Sequence, residues 1–175
     1  LPRLRTALGS DATARLGGRL APGFQAVSLL WLRHHEPDAW HRIRRIFLPK
    51  DALIFQLTGR HVTDPGDAAG SGMYEPGSGT WAADVLDAIG VPRSWLPEVV
   101  PSGTIVGHVT DRAALAFGLR PGIPVVVAGA DAAAGALAAG LRDTDEALVL
   151  LSTGAQILQP ATAWQPDPQG RWYSW

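Results

Sequence analysis

The apolar run Val125 to Ala128 empties into Gly129-Ala130-Asp131 and is followed by the small-residue segment Ala132 to Gly140. A buried strand, a turn carrying one acid and a helix-compatible Ala/Gly run follow the local plan of an α/β enzyme, where ligands gather at strand ends. A lone carboxylate there suits a catalytic base, and Asp131 is the candidate. The same residue also has a plain reading, as an aspartate that caps the helix behind it. A second apolar run, Ala147 to Leu151, ends in Ser152-Thr153-Gly154. That turn is shaped to hold a phosphate, with a simple hairpin turn as the alternative.

Bulk properties narrow the partners. The chain has 175 residues, 46% of them hydrophobic and 18% charged, which is globular rather than disordered composition. A net charge of −1 offers no field for nucleic acid or an anionic membrane surface. No apolar stretch approaches the roughly 20 residues of a membrane span, so a soluble protein is expected. The absence of cysteine excludes disulfides and thiolate chemistry and fits a reducing compartment, so cytoplasmic placement is expected. The beginning at Leu1-Pro2-Arg3 and the end at Trp172-Tyr173-Ser174-Trp175 read as a piece of a longer chain.

Local signals give the coarse organisation. Leu8, Ala12, Leu16 and Leu20 predict one helix or two short ones within residues 6 to 20, with Ser10 or Asp11 as N-cap and Gly17-Gly18 as the limit. A helix over 26 to 35 and a second through Ala39, Ile43 and Ile46 are expected to pack together. Pro49 opens a short helix that Gly59 closes. Residues 62 to 80 read as a long polar loop of the kind that carries function. A helix is predicted over 80 to 89, a strand at 105 to 109, a helix from Thr110 or Asp111 to Phe117, and strands at 125 to 128 and 147 to 151. The domain boundary falls near Leu141 to Glu146.

Six short motifs stand in one order: Leu29-Leu30-Trp31-Leu32, Leu48-Pro49-Lys50-Asp51, Leu57-Thr58-Gly59, Thr63-Asp64 with Asp67-Ala68, Gly129-Ala130-Asp131 with Ala133-Ala134-Gly135, and Ser152-Thr153-Gly154. Together they resemble the FGGY carbohydrate kinases, most closely the xylulokinase branch. The resemblance implies an α/β, actin-like (ribonuclease H-like) ATPase fold, present in part. Residues 1–142 would form the later part of the N-terminal, sugar-binding domain, and residues 143–175 the opening hairpin of the C-terminal, nucleotide-binding domain. It implies transfer of the ATP γ-phosphoryl to a hydroxyl of a ketopentose such as xylulose. Asp131 would bind that sugar and serve as general base, since an attacking alcohol must lose its proton to a carboxylate within roughly 3 Å.

Ser152, Thr153 and Gly154 would face the terminal phosphates of ATP, with backbone amides and hydroxyls forming an anion nest. Mg²⁺ is implied as well, its ligands mostly outside this chain. The implied partners are the sugar and ATP, with no nucleic acid and no membrane, and a homodimer is compatible with the pattern. The piece by itself is expected to be inactive. Three positions depart from the family: Ser152 replaces a glycine, Ala132 an asparagine or glutamine, and Ser28 a lysine. The competing reading is an actin-like nucleotide-binding or scaffold protein without sugar kinase activity, against which an acid set in a Gly/Ala turn argues.

Other candidates have plainer readings. Lys50-Asp51 suits a surface salt bridge at a helix start better than sugar binding. Asp64 and Asp67 suit turn stabilisation. The five histidines lack zinc-ligand spacing, so no metal is assigned to them. Trp31, Trp40, Trp81 and Trp95 are expected in helix packing, and Trp164, Trp172 and Trp175 in a terminal hairpin.

Overall fold

The computed structural model describes Leu4, Thr6, Leu8, Gly9 and residues 11–151 and 154–175. Of the two readings of the first helical region, the two short helices form: Leu4, Thr6 and Leu8 are helical, and after Gly9 a separate turn, α1 (Ala12–Arg15), follows. Asp11 precedes it with helical backbone and no side-chain cap. Helix α2 (Gln25–His35) forms as expected, and α3 (Pro37–Trp40) begins at Pro37. The expected continuation of α3 through Ile46 does not form. The Ile46 amide instead bonds to the Trp95 carbonyl at 2.7 Å, a tertiary hydrogen bond in place of a helical one.

Helix α4 (Pro49–Thr58) has the boundaries its sequence demands. Extended Leu48 feeds Pro49, and Gly59 at φ +77° closes the last turn. The polar stretch 62 to 80 is a correction to the loop reading. It folds into β1 (Val62–Thr63), α5 (Pro65–Gly70), β2 (Tyr74–Glu75) and β3 (Thr80–Trp81). Thr63, Asp64 and Ser71 in it are buried, their polar atoms finding partners inside the protein, and Met73 is buried in the apolar core. Helix α6 (Ala83–Ile89) is followed by a 3-10 turn at Arg93–Trp95 and β4 (Glu98–Val99). Strand β5 (Ile105–His108) leads to α7 (Asp111–Phe117), capped by the Thr110 hydroxyl, which accepts from the Ala113 amide at 3.3 Å. Next come β6 (Pro124–Val126), α8 (Asp131–Ala138), β7 (Leu148–Leu151) and β8 (Ala155–Leu158).

The strands pair in twos among the described residues: β1 with β4 in parallel, and β2 with β3, β5 with β6 and β7 with β8 antiparallel. The main core gathers Leu29, Trp40, Met73, Trp81, Val85 and Ile89 from α2, α3, α6 and the β2–β3 hairpin. A second cluster, Ile54, Val62, Val106 and Val127, lies under the end of β6. Trp40 and Trp81 are core residues as expected, whereas Trp31 is 55% exposed and stacks on His35 with centroids 4.9 Å apart. No helix among the described residues is long and apolar enough to cross a membrane.

The terminal segment is not a tryptophan hairpin: residues 159 to 175 carry no strand and return to the start of the described chain. The Ser174 amide donates to the Gly17 carbonyl at 2.7 Å, and the Tyr173 hydroxyl to the Arg19 carbonyl at 2.7 Å. A Cβ at Gly18 would overlap the Tyr173 ring, which is why this approach needs glycine.

Candidate active site

The strand before Asp131 is less buried than its apolar sequence implies. Only Val127, beyond the end of β6, is fully buried, while Val126 is 47% exposed. Val127 is gripped by two main-chain bonds to the 101–104 loop, Gly103 N to Val127 O at 2.8 Å and Val127 N to Thr104 O at 3.0 Å. The chain then turns through Gly129 and Ala130, and Asp131 is the first residue of α8. Its carboxylate is exposed. Oδ1 accepts from the Ala132 amide at 2.7 Å, and the other oxygen has no partner among the described residues. The capping reading of Asp131 is not borne out: Ala130 is the N-cap, no side-chain cap forms, and Asp131 is already inside the first turn, its Oδ1 bonded only to the neighbouring amide.

Sequence reasoning missed the ion cluster beside this turn. Lys50 and Asp51 do pair at a helix start, but not on the surface, because Asp51 is fully buried. The Lys50 ammonium, its side chain 22% exposed, lies 2.6 Å from Asp51, 2.8 Å from Asp64 and 3.0 Å from Asp67, and it donates to the Thr63 hydroxyl at 3.3 Å. One cation thus joins the first turn of α4, the end of β1 and the first turn of α5. Burial pulls the Lys50 pKa down, but the bonds to Asp51, Asp64 and Asp67 outweigh it and hold the ammonium above its ordinary value. Asp51 is pushed up by its own burial, only partly offset by Lys50, Thr63 and the Leu48 amide. Asp64 does stabilise a turn, as expected, since Oδ2 accepts from the Gly66 amide at 2.9 Å. It is also a buried member of the network, and that was legible only with the fold in hand.

Ser152 and Thr153 lie outside the described residues. Gly154 is described, as an exposed bend between β7 and β8. Among the described residues no group of three or more acidic or histidine side chains is placed to hold a metal ion. His61 has a structural use, its Nε2 lying 2.9 Å from the Ile46 carbonyl and its ring packed on Phe47 and Phe55.

The sequence pattern of the FGGY family of carbohydrate kinases, N-terminal domain, matches residues 5–138. A xylulose kinase of Staphylococcus xylosus is 35% identical over 136 residues, covering 78% of this chain and 28% of its own length. An autoinducer-2 kinase of Klebsiella pneumoniae is 36% identical over 141 residues, covering 81% and 26%. The crystal structure of a xylulose kinase from Rhodospirillum rubrum superposes with a TM-score of 0.83 at 31% identity, over 89% of this chain and 32% of that one. The chain thus spans a third or less of each of these relatives. The mixed α/β architecture is part of the actin-like ATPase fold of these kinases, and the chain belongs to the FGGY family of carbohydrate kinases.

Proposed function

We propose that the protein is an ATP-dependent sugar kinase that transfers the γ-phosphoryl of ATP to a hydroxyl of a ketopentose such as xylulose, with Asp131 binding the sugar and acting as general base. The observation that carries this reading is the exposed Asp131 carboxylate, fixed through Oδ1 at the start of α8 while its second oxygen is left for a ligand. A hydroxyl seated on that oxygen would lose its proton as it attacks phosphorus, and the loosely bonded transition state asks chiefly for positioning of this kind. Family membership supports the reaction class, and the xylulose kinase relatives support the sugar. Similarity to an autoinducer-2 kinase favours a second substrate class, another small polyhydroxylated carbonyl compound.

In this reading residues 1–142 belong to the sugar-binding domain, residues 143–175 open the nucleotide-binding domain, and Ser152, Thr153 and Gly154 contact the phosphates of ATP. Magnesium, which such transfers use, finds no fit in the described residues. The gathered carboxylates Asp51, Asp64 and Asp67 all face the Lys50 ammonium, which sits where a cation would. No step is assigned to the metal here. The test is ADP release by the full-length protein with ATP and a panel of pentuloses, polyols and small hydroxyketones. Turnover with one ketopentose, and none from residues 1–175 alone, is the expected result. Turnover with no sugar in the panel would favour a nucleotide-binding scaffold.

A further inference from the structure

Neither Gly129 nor Ala130 has a hydrogen bond to another element among the described residues. The turn that presents Asp131 is therefore placed by what it packs against, and two neighbours lie close to it. One is the first turn of α5. A Cβ at Gly66 would stand 3.3 Å from the Ala130 Cβ and 3.6 Å from the Ala130 amide nitrogen, so the absence of a side chain lets the two backbones meet. Also near the turn is the 101–104 loop, whose Ser102 hydroxyl would lie 3.6 Å from a Cβ at Gly129.

Both neighbours are held by one buried carboxylate. Asp64 Oδ2 accepts from the Gly66 amide at 2.9 Å and from the Ser102 hydroxyl at 3.4 Å, while Oδ1 sits 2.8 Å from Lys50 Nζ. Asp64 is almost inaccessible to solvent, and Lys50 in turn is fixed by Asp51, Asp67 and Thr63. The Thr63 carbonyl also takes the Val100 amide at 2.9 Å, which ties the base of the 101–104 loop to the same strand end. A small displacement of the loop or of α5 would carry over to the turn beside them.

We infer that Gly66 and Ser102, held together by Asp64 on its Lys50 anchor, are positioning residues that set where the Asp131 carboxylate stands. This rests on Asp131 being the general base. A misplacement of about 1 Å costs on the order of a hundredfold in rate when a reacting group must meet its partner, so tenths of an ångström are worth fixing. Gly66→Ala adds a methyl that only a shift of Ala130 or Asp64 can accommodate. Ser102→Ala removes one bond and leaves the packing intact.

The experiment uses the full-length protein, ADP release with its best sugar, and six variants: Gly66→Ala, Ser102→Ala, Ser102→Thr, Asp131→Asn, and Gly66→Ala and Ser102→Ala each combined with Asp131→Asn. Gly66→Ala is expected to lower kcat about tenfold and Ser102→Ala about threefold, with KM for ATP within about twofold of the parent. Ser102→Thr, which keeps the hydroxyl, is expected to restore most of the rate. In the Asp131→Asn background neither change should lower the residual rate further, because no base remains to be placed. Unchanged kcat in Gly66→Ala and Ser102→Ala, or equal losses with and without Asp131, would overturn the positioning role while leaving the base intact. If Asp131→Asn alone keeps the parental rate, the base assignment fails and the positioning role with it. Should Gly66→Ala not fold, the Ser102 pair decides.

Discussion

The part of the chain between α2 and β4 and the part from α8 to β8 are built on different terms. In the first, helices and short hairpins close around Met73, Val85, Ile89 and Trp81, and even the polar side chains Asp51, Thr63, Asp64 and Ser71 are sealed inside. In the second, Leu137, Val149, Leu151 and Ile157 are exposed, Leu151 to 80% and Ile157 to 75%, and α8 buries no residue. The first region is held by its own interior. The second keeps its shape through main-chain ladders and leaves apolar surface uncovered among the described residues. Asp131, exposed, opens the second region as the first residue of α8.

This contrast fails if substitutions in the two regions cost alike. The largest effect is expected at Lys50. Lys50→Met would leave three carboxylates without their cation and lower stability by about 4 kcal/mol, read as the shift in the urea unfolding midpoint. A midpoint within error of the parent would show that the cluster contributes nothing. Met73→Ala, which empties a fully buried site, is expected to cost about 3 kcal/mol in the same measurement. Ile157→Ala in the 175-residue chain should stay within about 0.5 kcal/mol, because its side chain is already in water. Equal losses at 73 and 157 would contradict the division.

Acid sharpens the comparison further. The Arg171 guanidinium bonded to Asp167, together with the Arg171 and Gln169 amides, lowers the Asp167 pKa from 3.8 to about 2. A carboxylate lowered in the folded state contributes stability above its ordinary pKa and loses it as pH falls through the folded value. The terminal segment should therefore loosen between about pH 4 and pH 2. Asp51 is shifted the opposite way by burial, so it takes up its proton more readily when folded, and acid favours the fold through this group. The indole N–H resonance of Trp172, bonded to the Gln165 carbonyl, is expected to change at higher pH than that of Trp81, bonded to the Pro97 carbonyl. Simultaneous changes would remove the distinction.

What the sequence disclosed divides along physical lines. Helix ends were legible where a single residue decides them: Pro49 and Gly59 around α4, and Thr110 before α7. The family was legible too, because six weak motifs in one order constrain more than any one of them. Tertiary partners were not. Asp64 and Ser71 look like loop residues until Lys50 and the Ala68 carbonyl are seen to satisfy them, and the polar stretch 62 to 80 was misread for that reason. Ile46 carries helical periodicity but its amide bonds to Trp95 instead of into a helix, and Trp31 sits in an apolar pattern yet faces out. For the site, the position of Asp131 at a turn before a helix was legible. Its support by Gly66 and Ser102 was not, since those contacts join residues far apart in sequence.

The central claim is that the Asp131 carboxylate takes the proton of a sugar hydroxyl. Its most direct test is single-turnover phosphorylation by full-length Asp131→Asn, with an unchanged circular dichroism spectrum and sugar affinity measured alongside. The account predicts a rate about 10²- to 10⁴-fold below the parent with the fold intact. A rate equal to the parent's would contradict it.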